Sequence, residues 1–404
     1  MEHIPFDKRS GKIWFNGELV KWQDTKVHVI SHGMHYASLV FEGIRIYNKK
    51  IFKLEEHTKR LFHSANIMDM NVPYSEDEMN IATKELVENQ GIVNGYIRPF
   101  IWRGSEMMGV SAQKTKINVA IAIWDWPAYF DPELKKKGIK LNISRWQRPP
   151  QNSSPWNSKA AGLYMICTLS KHEAEKKGFT DSLMVDHEGN IAEATSANVF
   201  FKDKNNELNT PIPDSFLDGI TRKTVIDIAK SKNIKVNERK ISPDELQNFT
   251  GRFITGTAAE ITPIASIQDY KFEVCDLILD LSSSYEKLVG KNYLKFYLLI
   301  PLNLSDRRLK SSALTRIKVD NTIKHVATAK IVGLNCSLSP VHICIGIVVF
   351  SKPARNNTTT TSSNDVTNAN NPPEITPGKI NGSVIFIKVF TGLLPRLEAA
   401  LVTL

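Results

Sequence analysis

Residues 157–164 read NSKAAGLY and place Lys159 between small residues, five positions ahead of Tyr164. The stretch EATSANVF begins 34 residues after that lysine, at Glu193. Two stretches rich in glycine and threonine follow, DGITR at 218–222 and TGTAAEITP at 255–263. Composition cannot single out one lysine in a chain with 52 basic residues, but this ordered set of motifs singles out Lys159.

Four upstream stretches extend the set towards the N-terminus: HYASLVFEGIRIY at 35–47, EEHTKRL at 55–61, YIRPFIWRG at 96–104 and MMGV at 107–110. The downstream motifs resemble those of the fold-type IV pyridoxal-phosphate enzymes. The upstream motifs narrow the resemblance to the branched-chain amino acid aminotransferases. The resemblance covers about residues 10–290 in the family's order and spacing, and it is specific because many separate motifs agree.

The resemblance implies an α/β and α+β protein with the two-domain, D-amino acid aminotransferase-like fold and the cofactor in the cleft between domains. We expect a small α/β domain at 1–126, a linker at 127–137 and a larger cofactor-binding domain at 138–290. Residues 291–404 then form an atypical basic, partly low-complexity and poorly ordered extension, either natural or a frame-shifted or mis-joined reading.

Local patterns predict individual elements. Asn16-Gly17 between two apolar runs indicates a hairpin. Residues 39–47 are typical of one strand, and the apolar spacing over 54–68 predicts a helix. Ser75 is expected to cap a second helix, and another is predicted over about 158–177.

Three residues carry the chemistry that the resemblance implies. Lys159 holds pyridoxal 5′-phosphate as a Schiff base, so its amine must lose its proton in a partly desolvated site. The free amine of Lys159 later moves the proton from the substrate Cα. Glu193 is the expected partner of the pyridine nitrogen, which must stay protonated for the cofactor to act as an electron sink. Tyr164 is expected to bind the cofactor's phenolic oxygen.

A phosphate requires backbone N–H groups at a helix start and a fork-shaped cation. Ile220 and Thr221 follow a glycine that opens a predicted helix, and Gly256 and Thr257 lie in a predicted turn. Arg60 matches the family's phosphate arginine. The alternative for Arg60 is a helix-surface pair with Glu56, four residues earlier.

The resemblance also implies an apolar substrate pocket with one arginine for the distal carboxylate of glutamate. Arg98 matches that arginine, and an arginine inside the apolar run YIRPF needs a partner. The other residues that match the pocket are Tyr36, Phe41, Met108, Val110, Trp126 and Tyr129. The residues that match the α-carboxylate site are Tyr96 and the backbone of Thr257 and Ala258.

The chain departs from the family pattern at Ala37, which replaces a common glycine, and in KAAGLY, which differs from the commoner K-x-G-G-N-Y. In that stretch Leu163 replaces a polar neighbour of Tyr164. Neither change removes a group that performs the chemistry. His32 and His35 lack carboxylate neighbours, so they are expected to be turn and interface residues rather than metal ligands.

The composition argues against a disordered, collagen-like or fibrous protein. Hydrophobic residues make up 42% and charged residues 23%, which is ordinary for globular proteins. Of the net charge of +10, residues 291–404 contribute 14 Lys+Arg against 5 Asp+Glu. The four cysteines form no C-x-x-C pair, so neither a disulfide framework nor a structural zinc is expected. The start carries no signal-peptide pattern, and no apolar run could span a membrane, so a cytoplasmic location is expected.

The sequence therefore predicts transamination of leucine, isoleucine and valine with 2-oxoglutarate by a homo-oligomer, either a dimer or a hexamer of dimers. Neither nucleic acid nor membrane is an expected partner. Within the fold, a D-amino acid aminotransferase or an aminodeoxychorismate lyase stays open as an alternative. A non-catalytic protein that binds anionic polymer through the basic C-terminal segment is an alternative from another class.

Overall fold

The computed structural model describes residues 4–126, 135 and 137–290, together with the backbone of four short strands after residue 290. The chain divides into two compact units, Met1–Phe296 and Tyr297–Leu404. Most of the predicted linker and of the C-terminal extension therefore lies outside the described residues.

The first sheet lies in the N-terminal part of the first unit. It has the strand order β2-β1-β7-β6-β4-β5, with β3 also paired to β6. Its strands are β1 (Lys12–Phe15), β2 (Glu18–Lys21), β3 (Leu39–Phe41), β4 (Ile44–Tyr47), β5 (Lys50–Ile51), β6 (Gly95–Arg103) and β7 (Ile117–Asp125). The predicted hairpin is confirmed, because Asn16 and Gly17 both have positive φ, as a two-residue type I′ turn requires.

The single strand predicted over residues 39–47 is wrong, because the chain breaks into β3 and β4 around Glu42 and Gly43. Glu42 donates its backbone N–H to the carbonyl of Pro99. A Cβ atom at Gly43 would lie 1.9 Å from Oη of Tyr96. Only glycine therefore leaves room for the Tyr96 side chain to pass over the backbone at this position. The break places the side chain of Glu42 in the interior, where none of its surface is exposed.

Three helices accompany this sheet: α1 (His32–His35), α2 (Leu54–Ile67) and α3 (Glu76–Gln90). The short α1 lies where only a turn was expected. The helix predicted over residues 54–68 is confirmed, and so is the Ser75 cap, which forms a capping box with Glu78. Leu61 and Ala65 of α2 and Leu86 of α3 join a core that includes Ile97 and Val119 of the sheet.

The second sheet has the order β10-β9-β8-β15-β14-β11-β12-β13, with β16 paired to β15. Pairing is parallel between β8 and β9, between β8 and β15 and between β12 and β13. Its strands are β8 (Ile139–Ile143), β9 (Asp181–Val185), β10 (Ile191–Ala194), β11 (Asn198–Lys202), β12 (Leu208–Thr210), β13 (Val236–Glu238), β14 (Gly251–Gly256), β15 (Glu260–Ile267) and β16 (Tyr270–Lys271).

The helices of this part are α4 (Met165–Lys176), α5 (Ile220–Ser231) and α6 (Asp276–Leu288). Helix α4 starts seven residues later than predicted, because Ala160 is extended and bridges to Val40 of β3. A 3-10 turn, Ala161–Tyr164, then leads into the helix. Further short 3-10 turns span Phe6–Lys8, Trp22–Asp24 and Pro243–Asn248.

In the second unit, strands β17 (Lys330–Ile331) and β18 (Val348–Val349) pair with each other, and so do β19 (Phe386–Val389) and β20 (Ala399–Val402). The first unit alone contains both larger sheets. The residues singled out by the sequence motifs all belong to it.

Candidate active site

One cleft of about 590 Å³, its open mouth included, gathers most of the motif residues. Arg60 reaches it from α2, and the other wall comes from the second sheet, α4 and α5. All the predicted cofactor-binding residues line this cleft: Arg60, Lys159, Tyr164, Glu193, Ile220, Thr221, Gly256 and Thr257.

The backbone of Lys159 is held by the first domain on both sides. Its N–H donates to Oγ of Ser64 at 2.9 Å, and its carbonyl accepts from the N–H of Phe41 at 3.2 Å. Ser64 in turn donates to the carbonyl of Arg60 at 2.8 Å. The position of the lysine therefore depends on α2 and β3 as well as on its own domain.

The surroundings of the Lys159 amine favour its neutral, nucleophilic form. Nζ lies 2.7 Å from Oη of Tyr164, to which it donates a hydrogen bond. Burial, together with the neighbouring positive charge of Arg60, lowers the pKa of Lys159 to about 8. About a tenth of this amine is thus neutral at pH 7, whereas an ordinary lysine with a pKa of about 10.4 is almost fully charged.

Glu193 lies in β10 with 8% of its surface exposed. Burial raises the pKa of Glu193 to about 7, although the charges of Arg148 and Lys159 oppose that rise. Nε of Arg148 lies 3.5 Å from its Oε1, and Nδ2 of Asn198 lies 3.5 Å from its Oε2. A carboxyl group in this setting gains from a cationic partner, such as a protonated ring nitrogen.

A second part of the cleft suits a phosphate. Helix α5 begins at Ile220, so the N–H groups of its first turn have no partners within the helix and point towards an anion. Gly219 precedes it and lies against Asn198, whose Oδ1 would be 2.2 Å from a Cβ atom. Oγ1 of Thr255, which also lines the cleft, is buried and has no hydrogen-bond partner among the described residues. The cleft thus offers donors that a bound phosphorylated cofactor would satisfy.

The surface pair considered for Arg60 and Glu56 is absent from the described residues, since Glu56 pairs with Lys53 instead. Arg60 instead forms a two-point contact with Glu42: Nε to Oε1 at 2.6 Å and Nη2 to Oε2 at 2.9 Å. The alternative interpretation of Arg60 as a solvated helix-surface residue is therefore wrong.

Several predicted substrate residues form an aromatic cluster beside the lysine. The ring of Phe41 lies 4.9 Å from that of Tyr164 and 5.1 Å from Nζ of Lys159. The guanidinium of Arg98 lies 4.8 Å from the Phe41 ring and donates to Oη of Tyr96 at 3.3 Å. Nε of Arg98 is buried and has no hydrogen-bond partner in the described part of the chain. The cluster therefore combines an apolar wall with a cation that can accept a carboxylate.

The remaining predicted residues are more dispersed. The ring of Trp126 packs edge-on against Tyr96 at 4.6 Å. Tyr36 is 46% exposed and stacks on His32. Of the predicted substrate residues that the structure describes, Thr257 alone is in the cleft lining, and the aromatic cluster lies next to that lining at Lys159 and Tyr164. Tyr129 lies outside the described residues. Met108 and Val110 are 71% and 81% exposed, on a loop away from the cleft lining.

The replacement of a common glycine by Ala37 has a local structural explanation. Ala37 has a φ of 55°, a backbone conformation that glycine adopts without strain and alanine does not. Its methyl group faces Gly162, where an added Cβ would lie 3.5 Å away, an ordinary contact. The small residues of the NSKAAGLY stretch thus accommodate the alanine.

His32 and His35 form hydrogen bonds to the loop that contains Met108 and Gly109. His32 bonds Oγ of Ser38 at 2.9 Å and the carbonyl of Gly109 at 3.1 Å, while Nε2 of His35 lies 3.3 Å from the carbonyl of Met108. Within the described ranges, no cluster of three or more histidine, cysteine or acidic side chains could hold a metal ion. The helices described there also include none that is both long and apolar enough to cross a membrane.

The sequence interpretation missed four residues that shape the site: Glu42, His57, Ser64 and Arg148. The signal for Glu42 was available, because it is an acid inside the apolar run LVFEGI, the same argument that pointed to Arg98. Arg148 and Ser64 gave no such signal, since their roles depend on contacts between segments distant in sequence.

The raised pKa of Glu193 predicts a pH-dependent stability difference. The folded chain without cofactor binds the Glu193 proton more tightly than the unfolded chain, so ionisation costs stability as pH rises from about 4.5 to about 7. Glu193→Gln removes this cost and should stabilise the cofactor-free chain by about 3 kcal/mol at pH 8, from about 2.5 pKa units at about 1.4 kcal/mol each. Urea unfolding of both proteins at pH 5 and pH 8 measures this difference in the free energy of unfolding. A gain that is equal at both pH values would contradict the assignment.

Comparison with known proteins agrees with the geometry. The family model described as amino-transferase class IV matches residues 39–267. The probable branched-chain-amino-acid aminotransferase of Rickettsia felis is 44% identical over 269 residues, which are 66% of this chain and 90% of the relative. The branched-chain-amino-acid aminotransferase of Pseudomonas aeruginosa is 41% identical over 267 residues, 65% of this chain and 87% of that protein.

Solved structures give the same result. The Escherichia coli branched-chain amino acid aminotransferase has a TM-score of 0.68 and 35% identity, covering 72% of this chain and 98% of that one. The branched-chain amino acid aminotransferase of Thermobaculum terrenum, solved in its PLP-form, has a TM-score of 0.64 and 29% identity, covering 69% and 94%. The chain therefore belongs to the class IV aminotransferases and, among them, to the pyridoxal-phosphate-dependent branched-chain-amino-acid aminotransferases.

Proposed function

We propose that this cleft transfers the amino group of L-leucine, L-isoleucine or L-valine to 2-oxoglutarate, giving the branched-chain 2-oxo acid and L-glutamate in two half-reactions. One observation carries the proposal: the eight predicted cofactor residues line a single cleft around Lys159, whose pKa is lowered to about 8. The relatives favour this reaction over a D-amino acid aminotransferase or an aminodeoxychorismate lyase.

Lys159 supplies the nucleophile and the base. When bound, pyridoxal phosphate provides the electron sink that accepts the electron pair of the substrate Cα–H bond. In the holoenzyme the neutral amine of Lys159 would hold the cofactor. Once free, the same amine would accept the proton from the substrate Cα and carry it to the cofactor's C4′. Tyr164, 2.7 Å from Nζ, orients that amine.

We assign the ring-nitrogen end of the cofactor to three residues: Glu193, Arg148 and Asn198. We propose that Glu193 meets the protonated ring nitrogen as a carboxylate, which offsets its burial. Arg148 restrains that carboxyl group from one side and Asn198 from the other. The phosphate end is assigned to Arg60 and to the donors of Ile220, Thr221, Gly256 and Thr257.

Two kinds of substrate side chain must share one pocket. Phe41 and Trp126 are proposed to supply apolar surface for a branched aliphatic chain, and Tyr36 and Tyr129 are proposed for the same role. Arg98 is proposed to bind the distal carboxylate of glutamate, which would also satisfy its buried Nε. Tyr96 and the backbone of Thr257 and Ala258 are assigned to the α-carboxylate.

We also propose that the enzyme self-associates through an apolar surface near α1. Val27, Val29, Met34, Met108 and Val110 are each more than half exposed. Hydrogen bonds from His32 and His35 tie the loop carrying Met108 to α1, and we propose that these side chains together form the interface. A second copy would cover it, and sedimentation at the mass of a single chain would contradict the proposal.

A cytoplasmic location is inferred from the cysteines, since Cys167 and Cys275 are free thiols.

The absorbance spectrum between 300 and 500 nm tests the reaction. The purified protein should show a Schiff-base band that L-leucine shifts to that of the pyridoxamine form, while D-alanine leaves it unchanged. Lys159→Ala should abolish the band, because no other amine is held beside Tyr164 in the described cleft. Lys171→Ala, which alters a lysine of α4 outside the cleft lining, is the matched control and should keep it. A band that responds to D-alanine alone would overturn the substrate assignment.

Arg98→Met tests the assignment of the distal carboxylate. The variant should lose about 30-fold or more in kcat/KM for L-glutamate, because a substrate carboxylate would be left without its cation. L-Leucine is the internal control, and its kcat/KM should change less than about threefold since the aliphatic chain needs no charge. Equal losses for both substrates in steady-state assays would contradict the assignment.

A further inference from the structure

Glu42 is the most enclosed acidic group beside the cleft, with none of its surface exposed. Its carboxylate accepts four hydrogen bonds from three residues: two from Arg60, one from Nδ1 of His57 at 2.7 Å and one from the N–H of Gly43 at 3.1 Å. Every donor is fixed, since Arg60 and His57 lie on the same helix and Gly43 is the next residue. A carboxylate with this many donors cannot rotate freely.

The contact with Arg60 leaves one edge of the guanidinium available. Nε and Nη2 are bonded to Glu42, while Nη1 has no hydrogen-bond partner among the described residues, and the side chain lines the cleft. A two-point contact fixes the plane of a guanidinium as well as its position. The free edge of Arg60 is therefore aimed by Glu42.

The charges of the cluster are consistent with this arrangement. Burial alone would raise the pKa of Glu42, but the charges and hydrogen bonds of Arg60 and His57 outweigh it and hold the pKa well below its usual range. Burial lowers the pKa of His57, although the charge of Glu42 and its hydrogen bond to Nδ1 oppose that shift. Glu42 and Arg60 thus form a paired anion and cation, and His57 supports the anion with a further hydrogen bond.

We propose that Glu42 is a positioning residue for the cofactor: its carboxylate, held by His57 and Gly43, fixes Arg60 so that one guanidinium edge faces the phosphate. This inference rests on the proposed phosphate role of Arg60. Glu42 itself touches no substrate, and its effect passes through the arginine. The same contact keeps the charge of Arg60 compensated beside the amine of Lys159.

The test measures the dissociation constant of pyridoxamine 5′-phosphate, which forms no covalent bond to Lys159, by equilibrium dialysis of the full-length enzyme in its pyridoxamine form. Glu42→Gln should weaken binding about tenfold, the size expected for one charge-assisted hydrogen bond. In an Arg60→Lys background, Glu42→Gln should change binding less than about threefold, because lysine has no planar fork to aim.

Glu245→Gln is the matched control. Glu245 makes a similar two-point contact with Arg239, at 3.1 and 2.7 Å, but neither residue lines the cleft. This variant should keep the wild-type dissociation constant, and thermal denaturation shows that each variant is folded. A Glu42→Gln effect of equal size in the wild-type and Arg60→Lys backgrounds would overturn the inference, as would unchanged binding. Failure of the unmodified enzyme to bind pyridoxamine 5′-phosphate would instead count against the proposed function.

Discussion

Burial of an amine among fixed charges is the constraint on which the rest of the site depends. Lys159 can act as nucleophile and base only because the cleft removes water from its amine and places Arg60 nearby, which brings its pKa to about 8. The same desolvation raises the pKa of Glu193 to about 7. An amine and a carboxyl group whose pKa values converge near neutrality are unusual outside active sites. Both are unfavourable for the empty fold, and a cofactor that pairs with both would relieve them.

The two domains share the task of holding that lysine. The second domain carries Lys159 in its sequence, but the hydroxyl of Ser64 and the N–H of Phe41 fix its backbone from the first domain. Arg60 lies one helical turn before Ser64 and is fixed in turn by Glu42. Helix α2 therefore sets the spacing between the proposed phosphate cation and the reactive amine, and a shift of this helix would move both.

Much of this arrangement could be predicted from the sequence, because the motifs are local and the resemblance is specific. The hairpin at Asn16-Gly17 and the Ser75 capping box were both readable from short-range rules. The break in residues 39–47 was not, since it depends on Tyr96 crossing Gly43 from another strand. The late start of α4 was missed for a similar reason, because Ala160 bridges to Val40 in the other domain. Contacts between distant segments, such as that of Arg148 with Glu193, leave no periodicity to read.

The most direct test of the central claim is the pKa of Lys159 in the protein freed of cofactor. Amine labelling of Lys159 across a pH series, with the modified peptide measured by mass spectrometry, reports the fraction of neutral amine at each pH. We predict a midpoint near pH 8, at least one unit below that of a surface lysine measured in the same digest. A midpoint near the ordinary value of about 10.4 would contradict it, because the cleft would then not desolvate the amine.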